Sequence, residues 1–215
     1  MIEHISKTLG TGTNQAVVIW LHGLGASCHD FFGVPEHLRL RSDLRVNFIF
    51  PQAPTRAITI NNGYQMPGWY DILSLGLDRE TNVEHLRESA AAIHQLIDQQ
   101  VAQGVAPERI ALIGFSQGGA VCYETAFQSD RPLAGMIALS TYLANDLPNT
   151  VRPLPVEIHH GQQDDVVPFE LSLRAKEALS QQHIPVTHKT FQATHTVVPE
   201  QLEDISQWLN THLAR

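Results

Sequence analysis

Residues 110–120 read Ile110-Ala-Leu-Ile-Gly114-Phe-Ser116-Gln-Gly118-Gly-Ala120. An apolar run stops at Gly114, Ser116 stands two residues on, Gly118 and Gly119 follow, and a helix-competent segment begins. The order is strand, sharp turn, helix. The turn has the form G-x-S-x-G, a nucleophile elbow, in which the serine takes a strained backbone conformation that carries its hydroxyl to the carboxyl end of a sheet. Glycine is needed on both sides because strand and helix approach so closely that a β-carbon at Gly114 or Gly118 would strike the opposite backbone. The pattern alone is weakly specific, and its weight comes from the apolar residues before it and the helical dozen after it.

Outward from this stretch, strands alternate with helices. Residues 16–21 are continuously apolar and β-branched, which predicts a strand covered on both faces of a parallel sheet. That strand runs into His22-Gly23-Leu24-Gly25. Residues 30–40 read as a short helix and 45–50 as a second buried strand. Residues 52–79 have no clean period and hold Pro54, Gly63, Pro67, Gly68 and Gly76, so a long substrate-side loop is expected. Thr81 with Glu84 makes a capping box, followed by Val83, Leu86, Ala90, Ile93 and Ile97 at helical spacing. Further strands are expected at 109–113, 133–139, 155–160 and 186–191, and helices at 119–128, 169–181 and 199–213. This alternation predicts a doubly wound, mostly parallel α/β sheet flanked by helices, with ligands bound beyond the carboxyl ends of the strands.

The 215 residues contain no linker-like stretch, charge block or internal repeat, so a single domain over 1–215 is expected. Hydrophobic residues make up 43% and charged ones 17%, the balance of a compact chain rather than a disordered one. The net charge is −8 and the basic residues are scattered, which argues against nucleic acid as a partner. No signal-like segment opens the sequence, and no apolar run approaches the roughly 20 residues of a membrane span. Cys28 and Cys122 are too few for a disulfide framework; both read as small buried hydrophobes, and a cytoplasmic location is expected.

A serine hydroxyl needs a base within hydrogen-bond reach and a third group to orient that base. In elbow hydrolases the acid and then the histidine follow the serine, each at the end of a strand. After the strand at 155–160 come Asp164 and Asp165, and after the last strand comes His195. Spacing alone leaves the choice between the two aspartates open. Of the twelve histidines, His159 and His160 fall in or at the end of a strand and read as structural, while His183 and His188 fall away from the catalytic end. His183, His188 and His195 have no close-spaced metal-ligand pattern. An oxyanion hole needs two backbone N–H groups: Gln117 supplies one, and the glycine-flanked Leu24 the other.

His22-Gly-Leu-Gly25, Phe50-Pro-Gln-Ala-Pro54, Met66-Pro-Gly-Trp-Tyr-Asp71, Gly114-Phe-Ser-Gln-Gly-Gly119, His160-Gly-x-x-Asp164 with Val167-Pro168, and His195 stand in the order seen in one family. The chain thereby resembles the carboxylesterase and acyl-protein thioesterase (phospholipase/carboxylesterase) family of α/β-hydrolases, over about residues 16–209. The resemblance implies an α/β-hydrolase fold without a large cap domain, and a triad of Ser116, Asp164 and His195. It also implies oxyanion donors at the amides of Leu24 and Gln117, and neither cofactor nor metal. It assigns the acid to Asp164, although Asp165 stands where many members have proline and Ala26 where many have an acidic residue. The implied reaction is hydrolysis of an acyl ester or thioester through an acyl-enzyme. Short- to medium-chain esters are expected, with acylated proteins and lysophospholipids as the alternatives, and a homodimer is compatible with the family.

The 52–79 loop is rich in apolar groups, which either pack it onto the body or border a binding groove. The resemblance implies an acyl groove, lined by Trp69, Leu73 and Leu75, with Tyr142, Leu143 and Val166 as further lining. The reading of another class, a non-catalytic acyl-binding protein on the same scaffold, predicts loss of a triad member, whereas all three positions are filled here.

Overall fold

In a computed structural model, residues 2–214 are described; Met1 and Arg215, the ends of the expected 1–215 domain, lie outside the described residues. In chain order the elements are β1 (His4–Leu9), β2 (Asn14–Leu21), β3 (Leu44–Pro51), β4 (Thr55–Ile58), β5 (Tyr64–Pro67), α1 (Val83–Ala102) and β6 (Ile110–Phe115). They continue with α2 (Gln117–Phe127), β7 (Gly135–Leu139), β8 (Val156–Gly161), α3 (Phe169–Gln181), β9 (Val186–Phe191) and α4 (Pro199–His212). Seven strands form one sheet in the order β1-β3-β2-β6-β7-β8-β9, parallel throughout except for β1, which runs antiparallel to β3. The chain steps from β2 outward to β3, then returns past β2 to β6. The crevice beyond β2 and β6 is thus the topological switch point where ligands bind in such sheets.

The continuous apolar runs of β2, β6 and β7 follow from covering on both faces. Val17, Ile19 and Leu21 pack with Ile110 and Leu112 toward α1, α2 and α3. The alternate residues, Val18, Trp20, Ala111 and Ile113, pack toward Ile205, Trp208 and Leu209 of α4. Leu86, Ile93, Leu96 and Ile97 form the buried stripe of α1, each contributing about 1.5–3 kcal/mol relative to exposure.

Several elements differ from their sequence expectation. β1 lacks an apolar pattern because it is a half-exposed edge strand. Residues 30–40 form turns and a short 3-10 helix, Val34–His37, in place of a longer helix; that short helix has Gly33 at its N-cap and proline in its first turn. The start of α1 moves by one residue: Asn82 is the cap, its side chain accepting from the His85 N–H (3.0 Å), while Thr81 donates its hydroxyl to the Ala144 carbonyl (3.1 Å). Residues 52–79 are not structureless. β4 and β5 pair as an antiparallel hairpin, turning through left-handed Asn62 and Gly63. The segment beyond folds back on itself, with an isolated bridge between Ile72 and Thr81 and a Leu73 N–H bond to the Glu80 carbonyl (2.8 Å).

Candidate active site

The elbow forms as its glycines require. Ser116 has φ 53° and ψ −123°, the strained conformation that separates β6 from α2. A β-carbon on Gly114 would lie 2.5 Å from the Gly118 carbonyl oxygen, and one on Gly118 would lie 2.5 Å from the His22 carbonyl oxygen. The turn is held from outside as well. Ser116 N–H donates to the Leu139 carbonyl (2.9 Å), and the Thr141 hydroxyl donates to the Ser116 carbonyl (2.6 Å).

The structure brings Ser116, His195 and Asp164 together. Ser116 Oγ lies 3.0 Å from His195 Nε2, and His195 Nδ1 lies 2.8 Å from Asp164 Oδ2. A carboxylate accepts only, so Nδ1 carries the hydrogen and Nε2 is left to accept from the serine hydroxyl. The loops after β8 and β9 are tied side by side: Gln162 and Gln163 donate their amides to the carbonyls of Phe191 and Ala193 (2.9 and 3.0 Å). Phe115, next to the serine, packs against the His195 ring with centroids 4.8 Å apart.

Asp164 is buried and saturated with donors. Its Oδ1 accepts the amides of Val166 and Val167 (3.0 and 2.8 Å), and His160 Nε2 lies 3.4 Å from Oδ2 while donating to the Val167 carbonyl (2.9 Å). Burial opposes its ionisation and is the largest single influence. The bonds from His160, His195 and the Val167 amide together outweigh it and hold the carboxyl well below the usual carboxylate range. Asp165 points outward, exposed and without a hydrogen bond or ion pair among the described residues, which separates the two neighbours that spacing left open. His160, expected to be structural, is fully buried and stands against the Asp164 carboxylate. His159 is fully buried and bonds Glu157 (2.7 Å).

The glycine-rich loop after β2 stands against the serine: a β-carbon on Gly23 would lie 3.4 Å from Ser116 Cβ. His22 bends this loop. Its Nε2 accepts the Ala53 amide (3.1 Å), so Nδ1 carries the hydrogen and donates to the Gly23 carbonyl (2.7 Å). Burial lowers the His22 pKa against the raising effect of the Gly23 carbonyl, which favours the neutral ring that can accept at Nε2. The Gly23 carbonyl and the Leu24 N–H belong to one peptide plane, so a bond at one end aims the other. The amides of Leu24 and Gln117 donate to no protein acceptor among the described residues, as oxyanion donors require.

The expected groove residues divide. Leu73, Leu75 and Val166 are exposed, at 42%, 60% and 53%. Trp69 and Tyr142, at 0% and 2%, belong to the core and offer no surface to a ligand. Trp69 is buried because its backbone and indole bond both neighbouring loops, and Tyr142 because its hydroxyl meets that of Tyr70 at 2.7 Å. Leu143 is partly buried against the same core. Leu77 and Leu173, at 40% and 42%, are further exposed apolar side chains. The Arg79 guanidinium joins these parts, donating to the Val166 carbonyl (3.1 Å) and lying 4.3 Å from the Tyr142 ring centroid. Sequence reasoning missed the Gln117 side chain, which accepts from the Trp69 amide (2.7 Å) and donates to the Tyr70 carbonyl (2.6 Å). Nothing in residue spacing could have marked it.

Cys28 and Cys122 are free and buried, and burial raises both thiol pKa values, Cys122 beyond the range in which it ionises near neutral pH. Among the described residues no group of three His, Cys, Asp or Glu side chains stands where it could hold a metal ion, and no helix is long and apolar enough to cross a membrane.

A mostly parallel sheet with a serine elbow after β6, and a carboxylate after β8 and a histidine after β9 bonded in line with that serine, is the architecture of an α/β-hydrolase. The chain belongs to the phospholipase/carboxylesterase family, whose sequence model matches residues 7–213. An acyl-protein thioesterase 1 from Gibberella zeae is 36% identical, over 93% of this chain and 92% of its own length. The solved structure of Arabidopsis thaliana SOBER1 is 26% identical with a TM-score of 0.87, covering 93% of this chain and 99% of that one. That of Zea mays acyl-protein thioesterase 2 is 25% identical with a TM-score of 0.79, covering 97% and 99%. The protein is therefore an enzyme of the hydrolase class, of the esterase and thioesterase kind.

Proposed function

We propose that the protein is a serine carboxylic-ester hydrolase that works through an acyl-enzyme on short- to medium-chain acyl esters. The observation that carries this reading is the bond chain from Ser116 Oγ through His195 to Asp164, at 3.0 and 2.8 Å. His195 Nε2 takes the hydroxyl proton as Ser116 attacks the carbonyl carbon, and Asp164 holds the ring and stabilises its charged form. The amides of Leu24 and Gln117 bind the oxyanion, each such donor being worth about 3 kcal/mol. His195 then protonates the leaving group, and after that group departs it activates the water that releases the acid and regenerates Ser116.

The acyl chain lies along the exposed Leu73, Leu75 and Val166, close to the loop that bears Asp164. A second reading, removal of acyl groups from protein thioesters, is favoured by the names of the acyl-protein thioesterase relatives. We place the enzyme in the cytoplasm as a single domain, a location in keeping with its two free, buried thiols. Labelling with a fluorophosphonate probe tests the nucleophile: Ser116 should be modified, and Ser116→Ala should lose both labelling and p-nitrophenyl ester hydrolysis. Folded wild-type protein that resists the probe would refute the mechanism. A p-nitrophenyl ester chain-length series set against a palmitoyl thioester separates the two substrate readings.

A further inference from the structure

We propose that Trp69 is a positioning residue of the oxyanion hole, bracing both loops that carry its donors, and is not a wall of the acyl groove. This inference rests on the catalytic reading above. Trp69 is fully buried between the two loops. Its indole Nε1 donates to the His22 carbonyl (2.8 Å), its amide donates to Gln117 Oε1 (2.7 Å), and its carbonyl accepts the Ser89 hydroxyl (2.5 Å). Its ring packs against the His22 imidazole with centroids 5.3 Å apart. One side chain and its own peptide units thus touch both proposed donor segments, His22–Gly25 and Gln117.

The loop needs such a brace because of Gly23. Glycine has little conformational preference of its own, so the orientation of the Leu24 amide must be imposed by bonds around it. A side chain there would crowd the elbow, with its β-carbon 3.2 Å from the Phe115 ring and in contact with Ser116 Cβ at 3.4 Å. The two peptide planes flanking Gly23 are instead held by their oxygens. His22 Nδ1 holds the Gly23 carbonyl, at 2.7 Å, and Trp69 holds the His22 carbonyl. Without the indole N–H the His22 carbonyl loses that buried donor, and the cost favours a turn of the His22–Gly23 peptide that carries the Gly23–Leu24 unit with it. On the other side, Gln117 binds the Trp69 amide and the Tyr70 carbonyl, which fixes the first turn of α2, where the second donor amide lies.

The test compares wild type with Trp69→Phe and with 3-benzothienylalanine incorporated at position 69, which keeps the indole shape without its N–H. Outright removal of an oxyanion donor costs 10²–10³ in kcat, so a misaligned one is expected to cost about 10–100-fold. That factor should be the same for acetyl, butyryl and octanoyl p-nitrophenyl esters, with KM within about twofold, and the labelling rate at Ser116 should fall in parallel. A groove wall would behave otherwise: loss confined to the longer esters, carried by KM, with the acetyl ester unaffected, overturns the proposal. So does wild-type kcat in the benzothienyl protein, which retains the packing even where Trp69→Phe does not fold. Wild-type protein that resists the probe would refute the catalytic reading itself; normal wild-type labelling with an unaffected position-69 variant refutes only the role of Trp69.

Discussion

Replacing Asp164 by asparagine changes one atom and should nearly abolish turnover. The carboxylate accepts the amides of Val166 and Val167 on one oxygen and faces His195 Nδ1 and His160 Nε2 with the other. An asparagine has one acceptor oxygen, so in either orientation its NH2 group confronts a pair of donors. If the NH2 faces His195, Nδ1 must become the acceptor, the hydrogen moves to Nε2, and the ring no longer accepts from Ser116. If it faces the backbone, the Val166 and Val167 amides lose their acceptor inside the protein, each at about 1–3 kcal/mol. Loss of the correct tautomer at such a triad costs on the order of 10⁴ in kcat, equivalent to about 5.5 kcal/mol of barrier.

Asp165→Asn should change kcat/KM by less than about twofold and stability by less than about 0.5 kcal/mol, as for an exposed residue without partners. Hydrolysis of p-nitrophenyl butyrate and a thermal melt of each variant suffice. Equal losses in the two variants, or Asp164→Asn within about tenfold of wild type, would refute the assignment. The sign of the pH dependence follows from the same contacts. The folded Asp164 carboxyl is held below its unfolded value, so its stabilisation is present above the unfolded pKa of about 3.9 and is lost as pH falls further.

Gly118→Ala should lower both Tm and kcat, because the new methyl group lies 2.5 Å from the His22 carbonyl oxygen and 2.8 Å from Leu21 Cβ; overpacking of this kind costs about 1–3 kcal/mol, and an unchanged melt would show that β2 and α2 are not in close approach. Burial, with Lys176, His160 and His159 adding to it, holds His188 down at about 4. The unfolded chain therefore binds this proton first, and stability should fall as pH drops from about 6.5 toward 4; His188→Gln should flatten that part of a Tm–pH profile, and an identical slope in the variant would sink the claim. Asn82→Ala should cost about 1 kcal/mol in denaturant melts through loss of the α1 cap, and a variant as stable as wild type would remove Asn82 from that role. Leu75→Ser, at a position 60% exposed, should leave Tm unchanged and lower kcat/KM for octanoyl over acetyl esters; equal effects on both would remove Leu75 from the acyl path.

The elbow was legible because its requirements are local. Gly114, Ser116 and Gly118 stand within five residues, and the close approach that demands glycine occurs between segments adjacent in the chain. The buried strands were legible for a similar reason: a strand covered on both faces must be apolar at every position, and 16–21 and 110–113 are. β1 and the β4–β5 hairpin were not, since a half-exposed edge and a surface hairpin carry no such constraint. The cap of α1 was misplaced by one residue because Thr81 and Asn82 are both good caps, and the Ala144 carbonyl, distant in sequence, claims the threonine.

Order along the chain placed His195 and the pair Asp164–Asp165 after the serine. Which aspartate turns inward depends on the loop after β8 lying beside the loop after β9, where Gly161 pairs with Phe191 and the Gln163 amide reaches Ala193. Trp69 marks the boundary most clearly. An apolar residue in a long loop has the same composition whether it lines a groove or fills the core. Only the meeting of the Trp69 loop, the His22 loop and the start of α2, segments 47 and 48 residues apart in hydrogen-bond partners, decides between them. Residue patterns record short-range periodicity and steric need, whereas the direction in which a side chain faces after a turn is set by which distant segment packs against it.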